Sequence, residues 1–169
     1  MSWYVLLIAA VALERIAELV VAQRNLAWSR TKGGVEFGAS HYPVMVVLHT
    51  GLLAGCLAEV FWLDRPFLPA LGWPMLAIVI AAQGLRWWCI TTLGRQWNTR
   101  VVVIPGARRV AGGPYGLMSH PNYVAVVAEG IALPLVHSAW ISALVFTVLN
   151  AALLRTRIAT ENNALARLT

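Results

Sequence analysis

Apolar residues along this chain fall into long runs separated by short polar stretches. The first run, roughly Trp3 to Val21, ends at Gln23-Arg24-Asn25, and a polar stretch from Arg24 to Ser40 follows, with Arg30, Lys32, Gly33 and Gly34. A second run, roughly Tyr42 to Trp62, is parted by Asp64-Arg65-Pro66 from a third, roughly Leu68 to Leu93. A basic segment then interrupts the pattern. Two shorter runs close it, roughly Pro121 to Val136 and Trp140 to Leu154, with only His137-Ser138-Ala139 between them. A helix needs about 20 apolar residues to cross a bilayer. The pattern predicts an all-α integral membrane bundle of about five transmembrane segments, the last two forming a tight helical hairpin whose short runs leave open whether it crosses fully. Residues 1–169 form a single domain: a three-span N-terminal bundle over 1–92, then over 93–169 a ligand-binding segment, the hairpin and a C-terminal amphipathic helix. In that last helix Ile158, Glu161 and Leu165 recur at helical spacing.

Composition supports the membrane reading. The 169 residues are 59% hydrophobic and only 12% charged, about half the charged fraction of a typical soluble domain. A net charge of +6 would point to nucleic acid in a soluble protein. Here no separate basic soluble domain exists to bind it, and basic loops beside anionic lipid account for the charge. Alternate connections place Arg24, Arg30, Lys32, Arg95, Arg100, Arg108, Arg109, Arg155, Arg157 and Arg167 on one side, and only Arg65 on the other. The positive-inside rule puts the N-terminus outside and the C-terminus in the cytoplasm. Trp3, Trp62, Trp73 and Trp140 then lie near the outer interface, and Trp28, Trp87, Trp88 and Trp97 near the inner one. The first run carries Glu14, Arg15 and Glu18 and lacks a basic leader, so it reads as a retained span. Cys56 and Cys89 sit inside apolar runs without a CxxC or Cys/His cluster, so neither a metal site nor a disulfide framework is expected.

Charged residues inside the spans add chemistry. Glu14, Arg15, Glu18, Arg86 and Glu129 are too costly to leave unpaired in hydrocarbon, so they should face the bundle interior. Their similar depth predicts pairing of Arg86 with Glu14 or Glu18, and of Glu129 with Arg15 or Arg86. For Glu14, Arg15 and Glu18 an ionic clasp between spans is the favoured role. Arg86 and Glu129 flank the basic segment and could line a ligand pocket. His49 reads as a hydrogen-bonded core residue and His137 as solvated at the outer turn. His41 and Tyr42 open the second span on the basic side, where they could border a site.

The basic segment, 93–135, is densest at Gly-Gly-Pro-Tyr (112–115) and Ser-His-Pro-Asn-Tyr (119–123). Glycine and proline break regular helix there, and Pro121 suits the first turn of a new one. Ser119 or His120 then stands at a helix N-terminus, which favours an anionic ligand group. The competing reading is an amphipathic connector with Arg95, Arg100, Arg108 and Arg109 among lipid headgroups. The ordered series Leu-Gly-x-x-Trp, Gly-Pro-Tyr, His-Pro-Asn-Tyr, Glu129 and Pro134-Leu135, continuing to Arg-Ile-Ala-Thr-Glu-Asn-Asn-Ala-Leu (157–165), resembles the isoprenylcysteine carboxyl methyltransferase family.

That resemblance implies a membrane O-methyltransferase that uses S-adenosylmethionine. It implies catalytic roles for His120, Arg157 and Glu161, and cofactor binding by Gly113, Pro114, Tyr115, His120, Pro121, Tyr123 and Glu161. Arg86, Glu129, His41 and Tyr42 are the candidates for the methyl acceptor. Ser119 stands where many members carry Arg before the His-Pro pair, and Asn162 replaces the second of two glutamates. The implied acceptor is lipophilic, a long-chain polyketide such as an alkylpyrone or a prenylcysteine-type carboxylate. Membrane lipids are the other partners, with no nucleic acid and no metal. The expected location is a bacterial cytoplasmic membrane with the site facing the cytoplasm. Two other readings stand beside it: an NADPH-dependent membrane reductase, since sterol reductases resemble the same C-terminal half, and a non-enzymic protein that binds lipid or a partner.

Overall fold

A computed structural model describes residues 2–168. Five helices carry the fold: α1 (Ser2–Thr31), α2 (His41–Trp62), α3 (Pro69–Leu93), α4 (Pro121–Leu135) and α5 (Trp140–Leu168). Two short strands, β1 (Val35–Phe37) and β2 (Val101–Val103), pair antiparallel with Glu36 opposite Val102. The protein is an all-α membrane bundle. α2, α3 and α5 are long and apolar enough to cross a bilayer. α1 has the length but carries three charged residues at mid-helix, Glu14, Arg15 and Glu18. α4 has 15 residues, about 22 Å of helix against about 30 Å of hydrocarbon.

Large exposed side chains are apolar along the helices: Leu6, Leu13 and Ile16 on α1, Val44 and Val47 on α2, Ile80 on α3, Leu144 and Val148 on α5. In water this surface would be a liability, whereas beside lipid it is the solvated face. Inside, Tyr4, Ile8 and Val11 of α1 meet Leu52, Cys56 and Val60 of α2, Val79 of α3, Leu133 of α4 and Phe146 of α5. The Tyr4 hydroxyl donates to the Leu133 carbonyl at 3.0 Å, which satisfies it in the apolar interior.

Several expectations change. α1 does not stop at Asn25 but runs on to Thr31, where Gly33, at φ +77°, turns the chain. Asn25 is buried and its amide donates to the carbonyls of Gly94 and Trp97, so the extra turns of α1 dock the start of the basic segment. The hairpin forms, but α5 is one continuous helix through Leu168, so the C-terminal amphipathic helix is its last turns and no separate element. Its charges stand beyond the apolar part of the same rod; the Arg167 side chain lies outside the described residues. His137 is not solvated. It is 4% exposed and packs against Tyr4, Phe67 and Trp3, where burial holds its pKa below the ordinary value and keeps the ring neutral.

At the same end, Glu59 is a buried carboxylate that accepts from the backbone N–H groups of Ile141 (3.1 Å) and Ser142 (2.7 Å) and from Arg65 Nε (3.0 Å). It caps the α5 N-terminus, where orphan donors and the helix dipole both favour an anion. Glu59→Ala is expected to lower stability by about 2 kcal/mol, the upper end for losing a helix cap, read as a reduced unfolding midpoint in detergent. An unchanged midpoint would remove this role.

Candidate functional site

A cavity of about 420 Å³ runs down the bundle among all five helices, α3 contributing Arg86 and Leu93. It extends along α5 from Leu165 to Phe146, about 28 Å of helix axis. Its upper section, at the basic end, is polar; its lower section reaches mid-bundle.

The upper section is assembled by the α4–α5 hairpin. His120 is the residue before α4 and Pro121 takes the first helical position, as expected. Antiparallel return of α5 brings Glu161 to the same level. The Tyr123 hydroxyl donates to Glu161 Oε2 at 2.8 Å, and His120 Nδ1 lies 3.7 Å from that oxygen. The His120 and Tyr123 rings stack at 5.5 Å between centroids. Arg157, one turn below, is buried and donates through Nη2 to the Thr99 carbonyl at 2.8 Å, while its Nε has no partner. Tyr115 enters from the Gly113–Gly116 turn, and burial beside the Cys89 thiol pushes its phenol above the ordinary pKa, so it stays protonated.

β2 and the residues before it close this section. Trp97, Asn98, Thr99 and Arg100 line the cavity together with all three valines of β2. Arg100 donates to Glu36 of β1 at 2.6 Å and its guanidinium lies 4.0 Å from the centre of the Tyr42 ring. The strand pair therefore fixes a cation at the rim.

The lower section holds an ionic network. Arg86 Nη2 is 2.5 Å from Glu129 Oε2, and Arg86 Nε is 3.4 Å from Glu18 Oε1. Arg15 reaches Glu18 at 2.6 Å and Glu129 at 3.1 Å, with Gln83 donating to Glu129 at 3.3 Å. Glu14 stands at the edge, accepting from Trp87 Nε1 at 2.6 Å. The equal depth read from the sequence thus becomes direct pairing. His49 Nδ1 donates to the Met45 carbonyl (2.8 Å), and the ring packs edge-on to Phe146 and also lines the cavity.

Of the residues singled out by sequence, Tyr115, His120, Tyr123, Arg157, Glu161, Arg86 and Glu129 line this one cavity. Gly113, Pro114, Pro121, His41 and Tyr42 do not line it. Gly113, at φ +54°, lies against Thr92 and Trp88 with no room for a Cβ, so it and Pro114 seat the turn that carries Tyr115. Tyr42 acts from behind Arg100. Sequence reasoning gives no site role to Asn98, Thr99 and Asn150, and names Trp97, Arg100 and Asn122 only as motif or basic-loop residues. For the wall at 97–103 the local signal is Val101-Val102-Val103, a β-branched triplet that marks a strand. Among the described residues no group of His, Cys, Asp and Glu is arranged to hold a metal ion.

Residues 75–167 match the isoprenylcysteine carboxyl methyltransferase (ICMT) family. The chain is 37% identical over 166 residues to a Bacillus subtilis (strain 168) protein described as "Uncharacterized protein YpbQ", covering 98% of this chain and 96% of that one. No solved structure matches.

Proposed function

This chain belongs to the isoprenylcysteine carboxyl methyltransferase family, and we propose that it is an S-adenosylmethionine-dependent O-methyltransferase acting on a lipophilic acceptor. The observation that carries this is the continuity of one cavity: a polar upper section around His120, Tyr123, Arg157 and Glu161 joins a mid-bundle section open toward lipid. Ile16 of α1 and Val46 of α2 line that lower section and are themselves exposed, which marks a lateral gap between α1 and α2.

The upper section fits the cofactor. The whole cavity, about 420 Å³, is of small-ligand size, and the residues of its upper section offer a partner for each of the cofactor's groups. The buried, unpartnered Arg157 Nε is a donor for the carboxylate. Glu161 is an acceptor for the ammonium or the ribose hydroxyls. Tyr115, Tyr123 and His120 offer ring faces to adenine. When bound, S-adenosylmethionine supplies a methyl group on a sulfonium. The protein's part is to hold two reactants in line and exclude water, the kind of catalysis that comes from proximity and orientation. His120, Arg157 and Glu161 orient the upper reactant; Arg86 and Glu129 face the lower one. The acceptor is a long-chain polyketide such as an alkylpyrone, or a prenylcysteine-type carboxylate. We place the basic end in the cytoplasm of a bacterial membrane, on the charge asymmetry of the loops.

Calorimetry on detergent-solubilised protein tests this. Saturable binding of S-adenosylhomocysteine without binding of NADPH is the expected result. Binding of NADPH but not S-adenosylhomocysteine would replace this reading with a reductase.

A further inference from the structure

Asn150 of α5 is a buried polar residue outside both polar clusters of the cavity. It is 2% exposed, it lines the cavity, and among the described residues its Oδ1 has no hydrogen-bond partner. A buried polar atom left unmatched is costly, and natural proteins keep few of them. An amide oxygen that no bond within the protein holds is free to serve a ligand.

Phe146, one turn below on the same helix, fixes the height of Asn150. The Phe146 ring occupies the space that a Cβ on Gly130 of α4 would need, and it packs edge-on to His49 of α2. Glu129 adjoins Gly130, so Asn150 stands one helical turn, about 5 Å, above the level of the Glu129–Arg86 pair. Arg157 lies about 10 Å further up α5. Asn150 therefore occupies the join between the two sections, where a methyl group must pass from the upper reactant to the lower one. One turn above Gly130 and His49 the neighbouring helices bring Val126 and Met45 to the cavity, and α5 adds Leu153 and Leu154. The join is an apolar belt with an amide set into it.

Such a belt selects by chemistry. A hydroxyl or an ammonium would leave donors or lone pairs unmatched against the apolar walls, and a carboxylate would meet the amide oxygen with a pole of the same sign. A sulfonium has no N–H or O–H to satisfy. Its charge spreads over the adjoining C–H groups, which pair with a carbonyl oxygen as weak C–H···O hydrogen bonds. The ion cluster one turn below offers no surplus cation to repel it: Arg15 and Arg86 are matched by Glu18 and Glu129, with Glu14 at the edge.

We propose that Asn150 receives the sulfonium of S-adenosylmethionine, its amide oxygen contacting the C–H groups around the sulfur at the join of the two sections. This rests on the methyltransferase reading above and adds to it a means of telling the charged cofactor from its neutral product.

Calorimetry on the full chain in detergent, without acceptor, tests this with S-adenosylmethionine and S-adenosylhomocysteine as the ligands. The two differ in the methyl group and the charge on sulfur, so the ratio of their dissociation constants separates this contact from general damage to the site. In Asn150→Leu the ratio is expected to move about two- to five-fold against S-adenosylmethionine, the size of one C–H···O bond. Asn150→Ala, which adds no bulk, carries the same expectation. Asn150→Asp, which keeps an oxygen at the position, should hold the parental ratio or move it the other way. Unfolding midpoints taken alongside expose a purely structural role: because Oδ1 is unmatched, Asn150→Leu should keep the parental midpoint or raise it. An unchanged ratio in folded Asn150→Leu or Asn150→Ala overturns the proposal, and with a lowered midpoint it assigns Asn150 to packing. A shift in Asn150→Asp as large as in Asn150→Leu overturns it too. Should the parent bind neither ligand, the methyltransferase reading falls and this proposal with it; should it bind both while the ratio never moves, this proposal alone falls.

Discussion

Arg86→Ala is expected to destabilise the bundle by about 3–5 kcal/mol, because removing one partner of a buried ion pair strands the other. The Arg86 side chain is 5% exposed and that of Glu129 8%. Deletion of the guanidinium leaves Arg15 alone to serve both Glu18 and Glu129, at 2.6 and 3.1 Å. Gln83 supplies a donor but no charge. The cost arises from the uncompensated carboxylate more than from the lost contact. The double variant Arg86→Met/Glu129→Leu should therefore recover much of the loss, since it leaves Arg15 and Glu18 as a balanced pair. Thermal unfolding in detergent of the parent, Arg86→Met, Glu129→Leu and the double variant closes the cycle. Glu14→Ala makes the contrast: this carboxylate lies at the edge, with Arg15 3.7 Å away, and its loss should cost less than about 1 kcal/mol. A folded Arg86→Ala protein with the parental midpoint would show that the network carries no stability.

This network also shows what sequence can and cannot convey. Depth is legible, because residue number along a span converts to height at a fixed rise. Arg86, Glu18, Arg15 and Glu129 can therefore be matched from their places along the spans alone. Element type is legible for a related reason: long apolar runs leave little alternative to helix in hydrocarbon. Helix ends are harder to place. Gln23 and Arg24 look like the end of a span, yet they only mark where α1 leaves the apolar zone. The helix continues because Asn25 finds the carbonyls of Gly94 and Trp97 and no turn-forming glycine intervenes before Gly33. Such a partner, about 70 residues away in sequence, leaves no local trace. Arg155 and Arg157 mislead in the same way, since α5 carries them past the lipid on one continuous rod.

For the candidate site the division is different. The motif residues His120, Tyr123, Arg157 and Glu161 stand out by type and order, and the hairpin brings them to one cavity. The wall opposite them is hidden in the sequence. It is made by β2, whose valines sit inside a stretch that otherwise reads as a basic connector, and by Arg100, whose position depends on a partner strand from residues 35–37. Pairing of two three-residue strands is a non-local event, and neither strand would be stable alone. Glu59 escapes sequence reasoning because a carboxylate near the end of an apolar run gives no hint that it caps a helix about 80 residues later.

The upper section makes the second large prediction. If Glu161 and His120 hold the cofactor, Glu161→Ala and His120→Ala should each weaken S-adenosylhomocysteine binding by about ten- to 150-fold, the equivalent of 1.5–3 kcal/mol for a hydrogen bond to a charged group. The two losses should not add. Tyr123 donates to Glu161 Oε2 and stacks on His120, so all three groups form one unit, and removing any member disturbs the others. Glu161→Gln separates two ways of using the carboxylate. The amide oxygen can still accept from Tyr123 or from ribose hydroxyls, but it offers no negative charge to an ammonium. A Gln variant as weak as the Ala variant assigns Glu161 to the ammonium, and one near the parent assigns it to the ribose. Glu59→Ala serves as the stability control: it loosens the far end of the bundle and should leave affinity unchanged in the folded fraction. Calorimetry on matched folded concentrations reads these five proteins and the His120→Ala/Glu161→Ala double variant, whose loss tests the non-additivity. Parental affinity in folded Glu161→Ala and His120→Ala together would move the cofactor out of this section of the cavity, whatever the family to which the chain belongs.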